Sequence, residues 1–180
     1  MFTMKDFNRI KKNIKGIDTE SLFSPQQDEL AHKISCLGSS GRGQSGEELM
    51  SLYLRRRKYK IKRFGTIHPF DILLDNKIKC EVKSATMYLD KKTYRYSFQG
   101  VKPELFDILF LVFVTPKGIV TKWTEQKYVM QYTANKKRQK DGYYIYFDGT
   151  CDNINMAYND DITDFVKFYP PVSKSCKQKT

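Results

Sequence analysis

The stretch that most constrains the fold is seven residues long: Ile108-Leu109-Phe110-Leu111-Val112-Phe113-Val114, apolar without a break. A run that short and that apolar suits a central strand, because alternate side chains leave a strand on opposite faces and here both faces need cover. Helices upstream can supply it. Residues 4–15 read as a basic amphipathic helix, with Phe7, Ile10 and Ile14 at helical spacing. Ser24-Pro25-Gln26-Gln27 joins an N-cap, a proline at the first helical position and a glutamine able to reach back. It predicts a helix to about Leu37 that buries Leu30, Ile34 and Leu37. Residues 38–44, rich in Gly and Ser, read as a flexible connection. Ser45-Gly46-Glu47-Glu48 then repeats the capping-box pattern and opens a helix through about Arg57.

After Gly65 the period changes. Phe70 to Asp75, Ile78 to Ala85, Tyr94 to Gln99 and Tyr143 to Phe147 read as strands. Helices combined with such a central strand predict an α/β layered domain. The expected layout is one domain over 1–180, with its core at about 45–150, an N-terminal helical extension over 1–38 and a mobile basic tail over 173–180.

With 180 residues the chain can bury a core without staples. No segment approaches the roughly 18 consecutive apolar residues of a membrane span, and the first residues lack the apolar stretch of a secretory signal. An intracellular, cytoplasmic protein with no membrane partner is expected. The four cysteines are scattered without a CxxC pair, which argues against zinc and for unpaired thiols. Thirty-two Lys and Arg against twenty Asp and Glu give a net charge of +12, which favours a polyanionic partner such as a nucleic acid.

The chemistry concentrates between Pro69 and Lys83. Glu81 and Lys83 share one face of their strand, and Cys80 and Val82 share the other. If Asp75-Asn76-Lys77 is a three-residue hairpin loop, Leu74 pairs with Ile78 and Asp71 lands opposite Glu81. Ile72, Leu74, Ile78, Cys80 and Val82 then form one apolar face, whereas a two-residue loop would mix polar with apolar on both sides. The apolar pattern therefore selects the register that groups two carboxylates with a lysine. Opposed carboxylates repel unless a cation lies between them; Lys83 supplies part of that, and a divalent ion would supply the rest. Hard oxygen ligands suit Mg²⁺ or Mn²⁺. Such an ion would hold a scissile phosphate and acidify a bound water, with Lys83 orienting that water or neutralising the phosphate.

Pro69-Phe70-Asp71 followed by Glu81-Val82-Lys83 resembles the PD-(D/E)xK nuclease superfamily, with the Asp two residues after the Pro. The resemblance covers roughly residues 45–115, and Gly46 to Leu54 is similar to the superfamily's first core helix, which often adds a carboxylate. It implies a restriction-endonuclease-like core: a central mixed β-sheet flanked by helices, with Mg²⁺-dependent phosphodiester cleavage. Between the two acidic residues of that helix, Glu48 is placed to close the capping box, while Glu47 lies beside Met50 and Leu54, nearer the buried side. The candidate catalytic residues are Asp71, Glu81, Lys83 and Glu47. The candidate metal ligands are Asp71, Glu81 and Glu47, with Val82 through its main chain.

Three basic stretches are candidates for DNA contact: Arg42 and Gln44 near the Gly-rich connection; Arg56, Arg57 and Lys60 after the helix; and Lys136, Lys137, Arg138 and Lys140 on a loop between strands. His68 and Gln99 are possible neighbours of the site. The leading expectation is a sequence-specific endonuclease of double-stranded DNA, of restriction or homing type. Cutting both strands with one active site per chain suggests a homodimer. Alternatives are a structure-specific nuclease such as a junction resolvase, an RNA cutter, and a non-catalytic nucleic-acid-binding module.

Overall fold

The computed structural model of the chain describes residues 29–65, 67–133, 138–149 and 162–172. The expected helix at 4–15, the Ser24 cap and the basic tail lie outside the described residues.

Two helices, α1 (Glu29–Ser35) and α2 (Ser39–Arg56), precede strands β1 (Ile61–Arg63), β2 (Ile72–Leu74), β3 (Ile78–Thr86), β4 (Tyr88–Asp90) and β5 (Thr93–Val101). There follow β6 (Ile108–Thr115), β7 (Gly118–Glu125), a one-turn helix α3 (Gln126–Val129), β8 (Tyr143–Asp148) and α4 (Ile162–Phe168). The strands form a five-stranded sheet in the order β1-β2-β3-β6-β7 and a three-stranded sheet in the order β4-β5-β8. Within the larger sheet β3 and β6 run parallel and every other pair is antiparallel, so the α/β domain has a mixed central sheet with helices against it.

Strand β6 is the predicted apolar run, and all eight of its residues are buried. Its two faces have different cover. Phe110 packs on Phe165 of α4, and Val112 lies under α2 near Gly46. On the opposite face Phe113 meets Tyr96 and Phe98 of the second sheet at ring-centroid distances of 5.0 and 4.9 Å. The central sheet is therefore covered by helices on one side and by a smaller sheet on the other. Leu30, Ile34 and Leu37 are buried as the helical spacing predicts, and Leu30 and Ile34 join the same apolar cluster as β6. Trp123 is fully buried against Phe165 and Tyr169, a packing residue.

The connection expected over 38–44 is instead helix. Helix α2 begins at Ser39, behind an extended Gly38 that makes no side-chain cap, and runs unbroken through the Gly-Ser segment. Tertiary packing overrides the weak helix propensity of these residues. Gly41, Ser45 and Gly46 are all buried, and the missing Cβ at Gly46 lets the helix sit close on Ser84 of β3. Ser45 is consequently no N-cap: its hydroxyl donates to the Gly41 carbonyl one turn back, at 2.8 Å. The capping box that gave Glu48 a structural role does not form.

Candidate active site

The hairpin adopts the register its apolar face requires. Leu74 pairs with Ile78, Leu73 with Lys79 and Ile72 with Cys80. The ladder ends at Ile72–Cys80 and the next residue leaves its register: the Asp71 amide donates to the Cys80 carbonyl, so Asp71 is not set directly opposite Glu81 as expected but lies against the Cys80–Val82 stretch. Asp75 and Asn76 take left-handed conformations (φ 50° and 58°), which Asp and Asn tolerate better than most residues, and so close the three-residue loop. Ile72, Leu74 and Cys80 are fully buried and Val82 nearly so.

Strands β1 and β2 are only three residues long, whereas β3 has nine. Beyond Cys80 no strand among the described residues pairs with the β2 edge of β3, and the candidate site occupies this notch. Asp71 stands at its corner. Its amide donates to the Cys80 carbonyl at 3.1 Å, and its carboxylate accepts the Val82 amide at 2.7 Å. A strand residue's N–H and C=O leave by the same edge, so the Val82 carbonyl also faces the notch.

Glu81 and Lys83 share the face of β3 that bears no helix, and the Lys83 Nζ lies 2.7 Å from Glu81 Oε1. From the helical face comes Glu47, on the turn of α2 next to Gly46. Arg63, opposite Ile72 on β1, pairs with both Glu47 (3.3 Å) and Glu48. Glu48 is thus tied to Arg63, not to Ser45.

These carboxylates are electrostatically strained. Burial, reinforced by Asp71 and Glu47 and opposed by Lys83, pushes Glu81 up to about 7. Burial, with Asp71 next, raises Glu47 against the pull of Arg63. Burial likewise raises Asp71, while the Val82 amide, Lys83 and Arg63 work to lower it. Three acidic groups that each act on at least one other, one of them sharply raised, form an arrangement common where charge is put to chemical use. For stability the sign is unfavourable at neutral pH. The folded state binds the Glu81 proton more tightly than the unfolded chain, whose carboxyl titrates near 4.5. Stability from this group is therefore complete below about pH 4.5 and lost as pH rises through about 7, at a cost on the order of 3 kcal/mol.

The donor set is all hard oxygen: three carboxylates and a main-chain carbonyl, without thiol or imidazole. Among the described residues no three His, Cys, Asp or Glu side chains converge, as they stand, on a point that could hold a metal ion. Glu81 is drawn to Lys83, Glu47 to Arg63 and Asp71 to the Val82 amide. Rotation of the two long glutamate side chains is what would turn them toward a common ion.

The other sequence candidates are dispersed. Arg42 donates to the Leu37 carbonyl at 2.6 Å, the Arg57 guanidinium lies 3.9 Å over the Tyr53 ring, and Arg138 pairs with Glu104. Gln44, Arg56, Lys60 and Lys140 are exposed, and Lys136 and Lys137 lie outside the described residues. His68 packs its ring on Phe64 at 4.3 Å and near Phe70, and Gln99 sits on the second sheet with its amide 3.4 Å from the Ser97 hydroxyl. The structure joins neither to the carboxylates. Arg63 is the neighbour that sequence reasoning missed. It lies within the basic run 55–63, and only the pairing of β1 with β2 singles it out.

No protein-family model matches the chain, and no curated protein matches it. Among solved structures, a bacterial homing endonuclease, I-Ssp6803I, is similar over 68% of this chain and 87% of that chain, at 14% identity and a TM-score of 0.46. No helix among the described residues is long and apolar enough to cross a membrane.

Proposed function

We propose that this chain is a Mg²⁺-dependent endonuclease that hydrolyses phosphodiester bonds of double-stranded DNA, acting as a homodimer of restriction or homing type. The observation that carries this reading is the grouping of Glu47, Asp71 and Glu81 with Lys83 at the open edge of β3, where burial has raised all three carboxyls. Asp71, Glu81, Glu47 and the Val82 carbonyl would hold a hard divalent cation, Mg²⁺ or Mn²⁺. Bound there, such an ion supplies Lewis-acid polarisation of the phosphate and a lowered pKa for water.

The chain's own residues account for the rest. Lys83, held beside Glu81, places an ammonium where it can donate to a phosphate oxygen or fix the attacking water, and it offsets charge that develops in the in-line transition state. Arg63 ties Glu47 to β1 and so keeps the helix carboxylate beside the hairpin. The backbone tie from Val82 to Asp71 fixes one carboxylate without using both its oxygens. A net charge of +12 favours encounter with a polyanion.

The test is incubation of purified protein with plasmid DNA in Mg²⁺ and in EDTA. Nicking or linearisation that EDTA abolishes is the expected result, and discrete products would place the enzyme in the sequence-specific class. Binding without cleavage on plasmid, four-way-junction and RNA substrates alike would sink the enzyme reading and leave a nucleic-acid-binding module.

The pH dependence carries a second expectation. Cation binding needs Glu81 ionised, so at low Mg²⁺ the rate should fall as pH drops through about 7, about tenfold per unit below it. Because metal competes with the proton, raising Mg²⁺ should move that limb to lower pH. A limb near 4.5, independent of Mg²⁺, would remove Glu81 from the site.

A further inference from the structure

Between β1 and β2 the chain makes a loop that closes on the candidate site. The Phe64 amide donates to the Asp71 carbonyl at 2.9 Å, and the His68 amide to the Gly65 carbonyl at 3.0 Å, so a tight turn stands on a closed base. The loop is filled by its own rings: Phe64 lies 4.3 Å from His68 and 5.1 Å from Phe70, centroid to centroid. Ile67, within the turn, stays outside that cluster. It is 97% exposed, and no other large apolar side chain among the described residues exceeds 63%. Single exposed apolar residues are ordinary on protein surfaces. This one is not, because rings that could cover it lie one residue away and the turn holds it out in solvent.

The sheet surface beside the turn is basic. Lys62 pairs with Leu73, and Leu73 with Lys79, so the two lysines share one face of β1–β2–β3. Counting on by twos along β3 adds Glu81 and Lys83, which puts all four on the face that bears no helix. Lys62 and Lys79 are both exposed. Their ammoniums stand over the loop's own rings, Lys62 at 5.0 Å from the Phe64 centroid and Lys79 at 6.0 Å from that of Phe70. Two cations therefore flank the base of a turn with a bare aliphatic tip.

We propose that Ile67 is a wedge that enters the minor groove of duplex DNA and parts a base step near the cut, with Lys62 and Lys79 on the flanking phosphates. This rests on the DNA-cleaving reading above and adds how the duplex is gripped and deformed. The occupant is DNA because the apolar tip comes with cations on the same sheet face as Glu81 and Lys83. Aliphatic side chains that part base steps enter by the minor groove, which at about 6 Å wide suits the tip of a turn. Ile67 is four residues from Asp71, a reach of at most about 14 Å. At about 3.4 Å per base step, the wedge falls within roughly four steps of a phosphate seated at Asp71.

The test uses the full chain and a 20-base-pair duplex of mixed sequence, with 2-aminopurine in place of every second adenine. Binding is measured in EDTA, so that nothing is cut, and the probe brightens where a base is unstacked. The expected result is a rise of at least about twofold with wild type, kept by Ile67→Leu and lost in Ile67→Ser, with adenine N3 protected from dimethyl sulfate. Ile67→Ser should still fold, since the side chain is almost wholly in solvent. Lys62→Ser with Lys79→Ser should lower the log–log salt slope of binding by about 2. No rise with wild type, an equal rise with Ile67→Ser, an unchanged salt slope, or protection confined to guanine N7 in the major groove would each overturn the proposal. If sedimentation shows that Ile67→Ser changes the mass of the protein alone, the turn is a self-association surface and the proposal fails. A wild type that cuts in Mg²⁺ without any rise keeps the nuclease reading and loses the wedge. One that gives the rise and never cuts does the reverse.

Discussion

Asp71→Asn is expected to lower plasmid cleavage by at least about a thousandfold while leaving the protein folded and more stable than wild type at pH 8. The loss follows from removing one charge of the proposed cation site. A few kcal/mol of transition-state stabilisation is worth about three powers of ten in rate. The gain in stability follows from the same charge. Burial raises Asp71, so its ionised form costs the folded state above its ordinary range, and it also pushes Glu81 and Glu47 up. Asparagine keeps an oxygen to accept the Val82 amide, so the corner of the hairpin stays tied. The sign can be checked by pH. At a pH low enough to protonate both carboxyls, variant and wild type should melt close together, and the gap should open as pH rises and the two ionise, Glu81 near 7. Kinetics and thermal melts in EDTA read the two halves separately. A variant that cuts within tenfold of wild type would remove Asp71 from the chemistry. One that is both inactive and less stable at pH 8 would make Asp71 a structural residue of the hairpin.

The hairpin could be read from sequence because two independent constraints agree there. The turn chemistry of Asp75-Asn76 and the alternation of Ile72, Leu74, Ile78, Cys80 and Val82 permit only one register between them, and that register groups Asp71 with Glu81 and Lys83. Strand β6 was equally legible, since an unbroken apolar run of that length has few other uses. Helix α2 was misread at its start because Ser39 to Gly46 has the composition of a loop. What makes it helical is the sheet it lies on, which no local pattern reports. Arg63 was missed for a related reason. Its partners are 15 and 16 residues away on a helix, and in a run of nine residues with seven cations nothing local distinguishes it. The second sheet was only half legible. Tyr94 to Gln99 and Tyr143 to Phe147 read as strands, but that they pair with each other, and with β4, depends on long-range register.

The close seat of α2 on β3 yields a second large effect, at Gly46→Ala. A Cβ at position 46 would lie 1.7 Å from the Ser84 hydroxyl oxygen and 3.1 Å from Ser84 Cβ, with Val112 Cβ at 3.7 Å. The hydroxyl can rotate away, but two Cβ atoms at 3.1 Å cannot, so helix and strand must part by a few tenths of an ångström. Overpacking of this kind costs about 1–3 kcal/mol, which in a chain of this length lowers Tm by roughly 2–4 °C for each kcal/mol. Activity should fall as well, because the atoms that move carry the site: Glu47 follows Gly46 on the helix, and Lys83 precedes Ser84 on the strand. A double-mutant cycle separates this contact from a general weakness of glycine sites. The Ser84 hydroxyl is buried without a hydrogen-bond partner among the described residues, so Ser84→Ala alone should be neutral or stabilising. Combined with Gly46→Ala it removes the 1.7 Å clash and leaves only the 3.1 Å contact, so the pair should recover a clear part of the lost Tm and of the lost cleavage rate together. If Gly46→Ala is stabilising, as alanine is in an open helix, the helix does not approach the strand this closely. If Tm recovers in the double variant and cleavage does not, Glu47 and Lys83 are not held in place by this contact.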